Sequence, residues 1–207
     1  MAVTARFGAR ALVIACGLQL SLAACAPGDQ DRAAAIRAVN NEFRRLYEDE
    51  ILPEIGTRTF NVRRNEAFAD MRVVLAGIGM RTESQDSSLG ILRVSAAAPL
   101  PLNVAEWDMA TKVDQPMLQK IIEPYVGALA ASTVQFEPKG LDTVINLTFV
   151  ETPNGTEISM TGRLREVAPP KSGWPRREYL PPAAMKMGIN KIWGAFAQEL
   201  KAGPQQP

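Results

Sequence analysis

Apolar residues recur along this chain with two periods, and the switches between them outline the fold. From Asp31 onward Ile36, Val39, Phe43 and Leu46, then Tyr47 and Ile51, return at steps of three and four. Arg37, Arg44, Arg45 and Glu48 fall between them. This spacing predicts a helix with one apolar side. Asp29 or Asp31 is placed to cap its start, and Pro53 and Gly56 to end it. Asn65 is placed to cap a second helix, with Phe68, Met71, Val74, Leu75 and Ile78 as its stripe, and Gly79 suits a left-handed C-terminal position. Asp114-Gln115-Pro116 reads as a third helix start, a cap followed by proline in the first turn. Its stripe is Met117 or Leu118, Ile121, Ile122 and Tyr125, with Pro124 expected to stop or kink it. The most regular stripe is the last: Met185, Ile189, Ile192, Trp193, Phe196 and Leu200, led in by Pro181-Pro182 and stopped by Gly203-Pro204.

The second period is two. Thr57 to Arg63 alternates around Phe60 and Val62. Met80 to Gln85 and Gly90 to Ala96 read as a hairpin turning at Asp86–Gly90, with Leu92, Val94 and Ala96 on one face. Ser132 to Pro138 reads as a strand with Val134 and Phe136 on one face. The clearest alternation is Ile145, Leu147, Phe149, resumed beyond Pro153-Asn154-Gly155 by Ile158, Met160 and Leu164. Asn-Gly between two such runs is a hairpin signal, because both residues tolerate positive φ. Alternation means one sheet face is buried and the other wet. The order of elements leaves little room for parallel crossovers. It predicts an α+β fold, a mostly antiparallel sheet with helices packed on one face (a two-layer sandwich), preceded by an N-terminal helix. The predicted divisions are a leader at 1–24, a tether at 25–30, an N-terminal helical segment at 31–56, one α+β domain at 57–202 and a tail at 203–207. The 31–56 helix either packs on the domain or stands off as an arm that binds a partner or lies on a membrane.

The N-terminus adds a location. Arg6 and Arg10 precede an apolar run, Ala11 to Leu22, broken by Gly17 and Gln19. Such a run is a secretory signal and is too short to span a bilayer, which needs roughly 20 apolar residues. It ends in Leu22-Ala23-Ala24-Cys25. Leucine, two small residues and cysteine form the lipobox of bacterial lipoprotein precursors, which this leader resembles. The resemblance implies cleavage after Ala24, diacylglycerol on the Cys25 sulfur and a further acyl chain on the new N-terminus, chains of the palmitate class. Two or more chains give stable anchoring at about 0.8 kcal/mol per buried methylene. In that family Asp after the cysteine favours retention in the inner membrane. Ala26 stands there instead, which implies a domain in the periplasm on the outer membrane.

Composition then removes chemistry. The chain has 23 cations and 22 acids and no histidine. Loss of Arg6 and Arg10 with the leader leaves the mature chain near neutral, which argues against nucleic acid as a partner. Without histidine there is no Ser-His-Asp or Cys-His catalysis and no His-bound zinc. Cys16 leaves with the leader and Cys25 is lipidated, so no thiol remains for a disulfide. No catalytic residue, metal site or cofactor is assigned, and the expectation is a protein that is not an enzyme.

The one loop that mixes aromatics with cations runs from Lys171 to Tyr179. Trp174, Arg176, Arg177 and Tyr179 are the candidate partner-binding residues, since aromatic and arginine side chains dominate contact hot spots. In the other reading Trp174 and Tyr179 plug the sheet edge while the arginines are solvated. Glu48-Asp49-Glu50 with Glu54 lacks the spacing of a calcium loop and reads as a solvated helix end. Two functions remain: a non-catalytic interaction or scaffold module with envelope protein partners, or a module for a small apolar or lipid-like ligand held between sheet and helices. Met71, Met80, Met117, Met160, Met185 and Met187 are candidates to line the latter. The pattern Phe60, Val62, Ala67-Phe68, Gly79-Met80, Asp86 and Gly90-Ile91-Leu92 is similar to envelope lipoprotein domains such as those of BamC, a subunit of the outer-membrane β-barrel assembly machinery. That similarity implies a role in envelope assembly.

Overall fold

The computed structural model describes residues 28–202. The predicted leader, Cys25 and the predicted tail at 203–207 lie outside the described residues. The element order is α1 (Asp29–Leu46), a π-helical turn (Tyr47–Ile51), α2 (Leu52–Ile55), β1 (Thr57–Phe60), α3 (Arg64–Gly77), β2 (Arg81–Asp86) and β3 (Ile91–Ala97). Then come α4 (Val104–Val126), α5 (Ala128–Thr133), β4 (Leu141–Thr152), β5 (Gly155–Glu166), β6 (Glu178–Tyr179) and α6 (Pro182–Ala202).

The six strands form one antiparallel sheet in the order β1-β5-β4-β3-β2, and β6 pairs with β5. β1 and β6 thus share one edge of β5, β1 at Thr156–Ser159 and β6 at Leu164 and Arg165. The apolar face follows the predicted alternation. Val94, Ile145 and Gly162 lie in one cross-strand row, and Leu92, Leu147 and Met160 in the next. On the opposite face Arg93, Asn146 and Thr161 form a polar row, with Asn146 accepting from Arg93 Nε at 2.7 Å. Helices α3 and α6 lie on the apolar face. The α+β architecture with an antiparallel sheet and a leading helix is therefore as the pattern predicts.

The long hairpin closes through two residues, Pro153 and Asn154, because Thr152 pairs with Gly155. Of the Asn-Gly pair only Gly155 takes positive φ, at 119°. A Cβ there would lie 2.1 Å from the Phe60 carbonyl oxygen, so the turn needs glycine for approach as well as for conformation.

Several expectations give way. α3 starts at Arg64, with Arg63 and not Asn65 at its N-cap. α1 starts at Asp29, with Asp31 Oδ2 accepting the Gly28 N–H at 3.2 Å, and the helical path runs on through Pro53 to Ile55. Pro53 has no N–H to give to the preceding turn, and it is tolerated because that turn, at Glu48 and Asp49, is exposed to water. α4 starts at Val104, ten residues before Asp114. Its capping box is Asn103 with Glu106: Asn103 Oδ1 accepts from the Glu106 N–H at 2.9 Å, and Glu106 Oε2 from the Asn103 N–H at 2.7 Å. Pro116 is accommodated because it lies on the exposed side of α4, beside solvent-facing Lys112. Finally, 132–138 is no strand. Residues up to Thr133 finish α5, and the extended stretch after it bonds to side chains. Gln115 Nε2 donates to the Val134 carbonyl, and Gln115 Oε1 accepts the Phe136 N–H at 3.1 Å.

α1 packs along α4 and belongs to the domain. Val39, Phe43, Tyr47 and Ile55 are buried in the same core as the sheet and α6. Phe136 joins these layers, stacking on Phe43 at 5.9 Å and meeting Trp107 and Tyr179 edge-on.

Candidate functional site

The four candidate residues do not act as one surface. Tyr179 is turned inward against Phe136, at 5.5 Å between ring centres, and burial pushes its phenol up to about 12. Arg177 pairs with Glu166 at 2.8 Å, and its N–H donates to the same carboxylate at 3.2 Å. Trp174 is half-buried with the Lys171 ammonium 5.5 Å from its ring, and Arg176 is exposed. The loop is tied down by residues that pattern alone did not mark. Asn40 Nδ2 donates to the Arg176 carbonyl at 3.1 Å, and Asn40 Oδ1 accepts the Glu178 N–H at 3.4 Å. Asn40 falls on the polar side of α1 and Glu166 at the end of a strand, both places where charged or amide side chains are ordinary. Only the tertiary pairing singles them out.

An apolar concavity lies beside this loop. Ala35, Ile36 and Val39 of α1 face Leu118 and Ile122 of α4, and Tyr179 with the stretch after α5 completes the wall. The cleft has a volume of about 310 Å³, within the lower range of ligand pockets. Arg32, Lys139, Arg177 and one acid, Glu137, also line it. A second depression of about 360 Å³ is lined by Trp174, Lys171, Pro169 and Pro170. Ile36 and Arg177 line both, so the two depressions adjoin at these side chains.

The space between sheet and helices, by contrast, is filled. The gap there among Leu102, Ile145, Leu164 and Ile189 is about 10 Å³. Met71, Met80, Met160 and Met185 are buried in that core, and none of the six methionines lines the cleft. Packing leaves no room for a ligand between sheet and helices, and one open apolar cleft lies between α1 and α4 instead.

The acidic run is a solvated helix end. Glu48, Asp49 and Glu50 are exposed, Asp49 lies 3.8 Å from Arg45, and Glu54 pairs with Lys186 at 2.6 Å. The buried acid is Asp114. It is 1 % exposed, and its two oxygens accept the N–H groups of Ala183 and Ala184 at 2.9 and 3.1 Å. Burial raises its carboxyl above the usual range, and those two bonds pull the other way. It caps α6 from the side of α4. Among the described residues no helix is long and apolar enough to cross a membrane. Comparison with protein-family models, curated proteins and solved structures yields no match.

Proposed function

We propose that this chain is an envelope lipoprotein, anchored through lipid on Cys25, whose domain serves as a non-catalytic interaction module for other envelope proteins. The observation that carries this reading is Leu22-Ala23-Ala24-Cys25 behind a basic and then apolar leader. Ala26, Pro27 and Gly28 are all that separate Cys25 from α1. Three residues span at most about 11 Å, so an anchored domain works with the N-terminal end of α1 close to the lipid headgroups. Trp174 and Arg176, presented by a loop fastened to α1, supply the contact surface. The BamC-like pattern favours envelope assembly as the setting, and Ala26 favours the outer membrane.

Mass spectrometry of the N-terminal peptide from native membranes tests the anchor. The expected product begins at Cys25 with diacylglycerol and an added acyl chain, and Cys25→Ser leaves an uncleaved, unacylated precursor. An unmodified thiol on a freely soluble native protein overturns the reading. Crosslinking in cells tests the surface: capture of envelope partners should fall when Trp174→Ala and Arg176→Ala are combined.

The α1–α4 cleft favours a second role beside the first, the binding of a small apolar ligand at the membrane-near end of the domain.

A further inference from the structure

We propose that the cleft between α1 and α4 holds the hydrocarbon chain of a free long-chain carboxylic acid, whose carboxylate meets Arg32 and Lys139. The proposal rests on the ligand-binding reading of this cleft and not on acylation of Cys25.

The lining fixes the class of ligand. Ile36, Val39, Leu118, Ile122 and Val134 offer hydrocarbon and no donor or acceptor from their side chains, which suits a chain of methylenes. Three cations line the cleft against one acid, Glu137. Arg177 is already neutralised by Glu166 at 2.8 Å. Arg32 and Lys139 are exposed and take part in no ion pair among the described residues. They are the charges left to receive an anion. A volume of about 310 Å³ is at the low end of the roughly 300–1,000 Å³ typical of small-molecule sites. It fits one acyl chain better than a two-chain phospholipid. Arg32 stands four residues from Gly28, the first described residue, so the cleft lies at the end of the domain where the chain enters.

The test uses the mature chain from Ala26 to Pro207, made without its leader and therefore without lipid. Every residue of the described core belongs to this chain. Palmitate and hexadecan-1-ol are titrated in parallel against a bound fluorescent polyene fatty acid, and stoichiometry is read by native mass spectrometry. The expected result is one palmitate per chain, bound more tightly than the alcohol. Ile36→Glu and Val126→Glu alter half-buried cleft residues and should each weaken palmitate at least about tenfold, about 1.4 kcal/mol, with an unchanged circular dichroism spectrum. Arg32→Gln combined with Lys139→Gln should erase the preference for the acid and leave the alcohol unaffected. Absence of binding, equal affinity for acid and alcohol in the parent chain, or full affinity in both glutamate variants overturns the proposal. So does palmitate binding by the unlipidated chain but not by the native acylated protein, which would give the cleft to the protein's own acyl chain. The outcomes read on the unlipidated chain are independent of whether Cys25 is acylated; the comparison with the native protein alone depends on it.

Discussion

The phenolic oxygen of Tyr47 accepts the main-chain N–H of Gly162 at 2.9 Å. Gly162 lies on β5 between the stretch paired with β1 and the stretch paired with β6, where no strand supplies a partner. On the same edge the Met160 N–H donates to the Gly56 carbonyl at 2.7 Å. The segment from α1 to α2 therefore completes an interrupted sheet edge. This is why the N-terminal helix, which the sequence leaves free to pack or to stand off, is part of the domain.

Tyr47→Phe keeps the ring and removes the acceptor. An unsatisfied buried N–H costs about 1–3 kcal/mol, and the variant should lose that much stability. Urea unfolding should show a lower midpoint at constant slope. A midpoint equal to the parent's would mean that water reaches Gly162 and that the edge is open.

Asp114 holds two N–H groups at the start of α6, and Asp114→Ala should cost about 1–3 kcal/mol through loss of that cap. Asp114→Asn retains an acceptor and should cost less. The pH dependence has a defined sign. The folded carboxyl sits above its unfolded value, about 3.9, so the folded state binds the proton more tightly. The resulting stability is complete below about 3.9 and is lost as pH rises through the raised folded value. The parent's stability minus that of Asp114→Asn should therefore fall as pH rises from 3.9. A difference that grows with pH would show the two N–H bonds outweighing burial.

Asp114 also shows where local reading reaches its end. Asp-Gln-Pro is a valid helix-start signal, but Asn103-x-x-Glu106 lies upstream with a complete capping box, and helix propagation from there carries through Pro116. The cap residue was real, yet it caps another helix. Val134 and Phe136 misled in a related way. Their alternation is genuine, with Phe136 buried, but their backbone bonds go to Gln115 and not to a strand. Elements whose apolar face meets the sheet were legible: β3, β4, β5, α3 and α6, down to Gly79 with φ 84°. The cleft was not. It forms where α1 and α4 fail to meet fully, and single-helix periodicity carries no record of how two helices sit against each other. Of the loop residues, Arg176 is exposed and Trp174 half-buried, whereas Tyr179 and Arg177 are held by Phe136 and Glu166, partners distant in sequence.

Tyr179 yields an alkaline signature. Its phenol titrates near 12 in the fold against about 10 in the unfolded chain. Protonated Tyr179 thus contributes stability that is complete below pH 10 and disappears as pH rises to 12. The parent should lose up to about 2 kcal/mol more than Tyr179→Phe over this interval. Parallel melting at pH 9 and 11.5 checks it. Equal losses in both proteins would place the phenol in water.

Trp193 is fully buried and bonds in two directions. Its Nε1 donates to the Ile55 carbonyl at 2.7 Å, the last residue of α2, and its ring meets Phe60 at 5.8 Å with the Arg58 guanidinium 5.4 Å from its centre. One side chain of α6 thereby fixes both the end of the N-terminal helical segment and β1. Trp193→Ala removes the largest fully buried side chain of the core and should destabilise the domain by about 3–5 kcal/mol. Trp193→Phe fills most of the volume but orphans the Ile55 carbonyl, and should cost about 1–3 kcal/mol. Hydrogen exchange separates the two effects. In the phenylalanine variant the amides of α2 and β1 should lose protection while those of β3 and β4 keep theirs. Uniform loss across the sheet would mean that the ring acts as filler alone and that the bond to Ile55 does not hold the N-terminal segment in place.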